Sequence, residues 1–151
     1  MTDTTTRNEF QAAHVNTTDS AQYILEQLAY GREVETVKVH CLIFLVESFT
    51  RQRFDLRFHD DDFVKMSSNL VKGETFGKVA AAYAATTDSP FLQQGQNLGG
   101  KPQRLTEAHR MIIDHIIYTY GNLNTMDVRE MVTTDAYFTT AALHSTLTFE
   151  I

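Results

Sequence analysis

The sequence predicts a mostly α-helical fold, a compact helical bundle with a small β-hairpin or extended arm. Three observations predict it. Apolar residues recur at three- and four-residue spacing in several separate segments, the pattern of helices that each bury one stripe. Strict alternation of apolar and polar residues is confined to one stretch, 54–59, the pattern of a strand with one side in a core. The composition, 42% hydrophobic with 10 Phe and 6 Tyr in 151 residues, is that of a folded globule the size of one domain. Residues 1–18, rich in Thr and Asn, read as a flexible lead-in, and 19–151 as a single helical domain.

The first helix is expected over 21–30, where Ala21, Ile24, Leu25 and Leu28 make a stripe; Asp19 or Ser20 is placed to cap it and Gly31 to end it. A second is expected over 36–50. Its run from Val39 to Phe49 is apolar nearly all round, so it is expected at the centre of the bundle. In 54–64, Phe54, Leu56 and Phe58 alternate with Asp55, Arg57 and His59 before an Asp60-Asp61-Asp62 turn and Phe63, which predicts a short hairpin or an extended arm. A third helix is expected over 75–85. The stretch 86–104, with Pro90, Gly95, Gly99, Gly100 and Pro102, reads as a long loop.

Helices are then expected over 106–120, where Ile112, Ile113, Ile116 and Ile117 repeat and Gly121-Asn122 supplies the stop, and over 125–132, capped by Asn124. A last one is expected from Thr133 or Thr134 to about residue 147, with Asp135 in its first turn.

Charge and composition narrow the functions. With 13 Lys and Arg against 19 Asp and Glu the formal net charge is −6, and neither half of the chain is basic, which argues against a nucleic-acid binder. The single cysteine, Cys41, excludes an internal disulfide and sits in an apolar run, as a core residue does. The polar N-terminus lacks the apolar stretch of a secretion signal, and no apolar run approaches the ~20 residues of a spanning helix, so a cytoplasmic location is expected.

Catalytic and metal patterns are sparse. The six histidines are scattered; the nearest pair, His109 and His115, lies about 120° apart around one helix by the 3.6-residue repeat, and Asp114 beside His115 makes at most a local acid–base pair. Gly99-Gly100-Lys101 lacks the flanking residues of a phosphate-binding loop. No cofactor and no metal are expected, and binding is favoured over catalysis. The residues expected to meet a protein partner are Arg57, Asp60, Asp61, Asp62 and Phe63, a charged rim with one aromatic anchor, joined by the 86–104 loop.

Three stretches in order resemble the Panacea family of SocA-like antitoxin domains. Ala21–Leu25 with Thr36-Val37-Lys38-Val39-His40-Cys41-Leu42-Ile43-Phe44 is similar to its opening helix and Thr-x-x-Lys run. Phe58-His59-Asp60-Asp61-Asp62-Phe63-Val64 is similar to its aspartate-rich arm, and Tyr120-Gly121-Asn122-Leu123-Asn124 through Thr133 to its Tyr-Gly and Leu-Thr-His segment. The chain departs from the pattern at Ser68-Asn69, where Gly-Pro is usual, and at Thr133-Thr134, where Thr-His is. The resemblance places Lys38, Phe44, Asp61, Phe63, Tyr120 and Thr133 on matched positions. It implies a helical bundle with a small β element, acting in bacteria or their phages by direct neutralisation of a toxin. The expected protein partner is a basic toxin or a host effector. A phage-encoded inhibitor of a host protein is a related expectation. The alternative is a DNA-binding regulator using the helices over 106–120, 125–132 and 135–147. A homodimer through Ala-rich surface near 80–85 and 141–142 is also expected.

Overall fold

The computed structural model describes residues 14–28, 33–60, 62–63, 91–93, 95–142, 145–147 and 149. Helix α1 spans Thr17–Leu28, strand β1 Val34–Glu35, helix α2 Thr36–Phe54 and strand β2 Phe91–Leu92. A 3₁₀ turn at Pro102–Arg104 precedes α3 (Glu107–Tyr120), α4 (Thr125–Thr133) and α5 (Ala136–Thr140). The described residues therefore form a helical bundle with a small two-stranded antiparallel sheet, β1 against β2, in the register Val34 to Leu92 and Glu35 to Phe91. The helix expected over 75–85 lies outside the described residues.

Helix α2 is the axis. From Val39 to Ser48 every residue is buried, because α1, α3 and α4 all pack on it. Its aromatic centre is Phe44, which meets Phe63 and Phe138 edge-on at centroid distances of 6.0 and 6.3 Å, a favoured ring geometry. The helix outruns the expected end at residue 50. Arg51 reaches back to Glu47 and Gln52 to Ser48, each one turn away, and Phe54 packs on Phe49, so three more residues gain helical partners. Asp55 then stops the helix in the left-handed region at φ 55°, its N–H donating to the Arg51 carbonyl.

Two differences concern ends. Helix α1 begins four residues before the expected start, since Asn16 Oδ1 accepts the Thr18 N–H at 2.9 Å, and the expected caps Asp19 and Ser20 are buried inside the helix with other partners. The last helix is shorter than expected at both ends. Asp135 is its N-cap, accepting from the Tyr137 and Phe138 N–H groups, and the hydroxyls of Thr139 and Thr140 bond back to the Ala136 carbonyl before the chain turns extended at Ala141. Helices α3 and α4 start where expected, capped by Thr106 and Asn124.

Of the two forms expected over 54–64, a short hairpin or an extended arm, the described residues take the second. Phe54 closes α2, and the chain beyond Asp55 runs extended, joined to residue 15 by a single parallel bridge between Val15 and His59. Val15 N–H donates to the Phe58 carbonyl at 2.8 Å and Asp60 N–H to the Val15 carbonyl at 2.9 Å. It is an arm.

The loop expected over 86–104 is, in its described part, strapped to α1. Gln22 donates from Nε2 to the Gln96 carbonyl and accepts the Leu98 N–H at 2.7 Å, while Asp19 Oδ1 accepts the Lys101 N–H at 2.7 Å. Gly100 lies so close that a Cβ there would run into the Thr18 carbonyl. Gly100→Ala is therefore expected to lift the loop from α1 and cost about 1–3 kcal/mol, read as a lower melting temperature with faster hydrogen exchange at Leu98 and Lys101.

Candidate functional site

The arm is held from inside by one buried carboxylate. Glu47, with no exposure, accepts four hydrogen bonds: the Phe58 N–H (3.0 Å) and Arg51 Nε–H (2.7 Å) on Oε2, the His59 N–H (2.9 Å) and His59 Nδ1–H (3.0 Å) on Oε1. His59 Nε2 in turn lies 3.1 Å from Ser20 Oγ. Burial alone would push the Glu47 carboxyl up; the hydrogen bond and proximity of His59, the Phe58 N–H and the Arg51 guanidinium outweigh it and hold the pKa at about 2. His59, expected on the solvent side of an alternating strand, is fully buried because this carboxylate recruits it. Ser20, His59 and Glu47 line up as a hydroxyl, an imidazole and a carboxylate do in hydrolases. All three have no exposure, and here they fasten the arm.

Outside this anchor the arm presents charge. Arg57, one-third exposed, donates to the His59 carbonyl at 2.6 Å and the Asp60 carbonyl at 2.9 Å and pairs with Asp62 at 3.3 Å. Asp60 is exposed and accepts a long 3.4 Å bond from Thr17 Oγ1; Asp62 is exposed by 69%. Asp61 lies outside the described residues. Phe63 does not belong to this surface: it is 2% exposed, packed edge-on against Phe44 and accepting the Leu147 N–H on its carbonyl. The expected aromatic anchor of a partner is thus part of the core, since a Phe that follows a turn onto an aromatic cluster gains more by burial.

The arm and the loop meet. A cleft of about 240 Å³ is lined by Val15, Asp60, Arg104, Thr106 and His109, which joins the arm, the end of the loop and the start of α3. His109 is buried beneath it, its Nδ1 2.8 Å from Thr106 Oγ1, and burial first, then the nearby His59 and His14, lower its pKa to about 4.

A second, larger cleft was not foreseen from the sequence. It measures about 460 Å³ between the sheet and the turn joining α3 to α4, and Lys38 crosses its floor to donate to the Gly121 carbonyl at 2.7 Å. That bond links two of the three segments that carry the family resemblance. Lys38 and Gly121 are 83 residues apart, beyond the reach of local pattern.

Of the helices proposed for DNA recognition, α4 carries a single cation. Arg129, the cation of α4, is half-buried with its Nε enclosed, and Met126, Asp127, Glu130 and Met131 form the exposed side. Ala141, expected at a dimer surface, packs against the core, whereas Ala142 is exposed; residues 80–85 lie outside the described part. Among the described residues no group of three or more His, Cys, Asp and Glu side chains is placed to hold a metal ion, and no helix is long and apolar enough to cross a membrane. Cys41 is buried, and burial pushes its thiol up to about 12 against the opposing charge of Arg129.

Comparison of the chain with protein families, with curated proteins and with solved structures gives no match. The likeness to the Panacea family therefore rests on its three segments.

The anchor predicts a pH response. The Glu47 pKa lies below its unfolded value near 4.5, so its share of stability is complete above that value and is lost as pH falls towards 2. The buried His40 and His109, lowered by burial to about 3 and 4 from 6.5, add a separate loss that begins as pH drops below 6.5. Glu47→Gln should lower stability at neutral pH by about 3–5 kcal/mol, as breaking a buried ion pair does, and should flatten the stability curve only below about pH 4.5. Urea titrations of both proteins between pH 2 and 7 measure this.

Proposed function

We propose that this protein acts by direct contact with a protein partner, as an antitoxin-like domain that neutralises a toxin or effector through the face where arm and loop meet. The single observation that carries this reading is the construction of the arm. Its backbone is fixed from within by Glu47, while Asp60 and Asp62 face outward and Asp60 shares a cleft with Arg104 of the loop. A segment already ordered loses little freedom when it binds, so its charges can steer and select a partner at low entropic cost. The net charge of −6 and the resemblance to antitoxin domains support a basic partner. The burial of Ser20, His59 and Glu47 supports a binding role over a hydrolytic one.

The test begins with stoichiometric capture of a partner from the native host, followed by binding kinetics. The double charge reversal D60K/D62K should slow association about tenfold and weaken its dependence on salt, with the melting temperature nearly unchanged. An unchanged association rate would move the contact elsewhere, and failure to capture any stoichiometric protein would remove the reading altogether. Phe63→Ala should act differently, lowering stability by about 3–5 kcal/mol in the free protein.

A further inference from the structure

We propose that the 460 Å³ cleft between the sheet and the α3–α4 turn is a second contact site, one that receives a lysine or arginine side chain of the protein partner. The proposal rests on the reading of the chain as a protein-binding domain and adds a different surface to it.

The acidic wall comes from the strand geometry. Val34 points into the core at 7% exposure, so Glu33 and Glu35 on either side of it project outward together. Neither forms an ion pair among the described residues: Glu33 accepts from Gln93 Nε2 at 2.9 Å, and Glu35 precedes α2 without a side-chain capping bond. Directly across the sheet from Glu35 stands Phe91, 38% exposed and lining the same cleft. A ring face beside two carboxylates suits an organic cation, which gains from the ring quadrupole and from charge at once.

The remaining walls fit the stem of such a side chain. Leu28 and Leu123 line the cleft, and long basic side chains lay their methylenes along apolar surface while the charged head stays wet. Lys38 shares the cleft, but its ammonium is drawn to the Gly121 carbonyl at the α3–α4 turn. A second cation is thereby directed away from Lys38 and towards Glu33 and Glu35.

The probe is an acetylated, amidated nonapeptide of Leu, Gly and three Arg, titrated into the ¹⁵N-labelled full chain and compared with the same peptide carrying Gln in place of Arg. Amide shifts are expected at Glu33, Glu35, Phe91 and Leu123 with the Arg peptide alone. E33Q/E35Q should weaken binding about tenfold and F91A several-fold, with melting temperatures within a degree or two of the parent. Shifts confined to Asp60 and Asp62, equal binding by the Gln peptide, or equal binding by E33Q/E35Q would overturn the proposal. So would spermidine binding as tightly as the peptide, which would make the cleft a site for free polyamines. These outcomes are separate from the arm: D60K/D62K can lose partner association while the cleft still binds the peptide, and the reverse.

Discussion

A carboxylate buried at the centre of the bundle must be fully hydrogen-bonded or it destabilises the fold by several kcal/mol, and the path of the chain follows from meeting that demand at Glu47. Helix α2 supplies one donor, Arg51. The others come from Phe58 and His59, so the arm has to double back and cross the helix it has just left. Once there, the arm offers its backbone to Val15, which fixes where the chain enters α1. Helix α1 then holds the loop through Asp19 and Gln22, and the loop delivers the chain to α3. Burying a charge in this way makes the route of the chain specific, because a shifted arm would leave the carboxylate short of donors.

The parts of the fold legible in the sequence are those whose causes are local. Asn124 announces a helix start by side-chain capping alone, and the isoleucine repeat of α3 needs only its own 3.6-residue period. The apolar girth of α2 told correctly that it lies at the centre. The arm was half legible: Phe58 turns inward as its alternation requires, but His59 breaks the alternation for a partner 12 residues away on a helix. Asp19 reads as a helix cap in the sequence, and nothing local singles out Gln22. Their real partners, Lys101 and Leu98, are 82 and 76 residues distant, and no local period encodes such a pairing. Phe63 reads as a surface anchor for the same reason, since its burial depends on Phe44 and on Leu147, both distant in sequence.

The two clefts stand at opposite ends of the same helices. One is lined by residues next to the starts of α1 and α3, the other by Leu28 at the end of α1 and by the turn that follows α3. A 14-residue helix is about 21 Å long, so the two surfaces are spaced by roughly that distance along a rigid strut. A partner touching both would be held at two points on one body, where the second contact forms at high effective concentration once the first is made.

Ser20 closes the anchor on the side of His59 away from Glu47. With Nδ1 facing the Glu47 carboxylate and Nε2 3.1 Å from Ser20 Oγ, both ring nitrogens of the buried imidazole have a partner, so the ring is fixed in orientation as well as in position. Its two partners sit on α2 and α1. The ring therefore ties those helices to one another through the arm, and Asp60, next in the chain, is held at its exposed position by a tether that neither helix could supply alone.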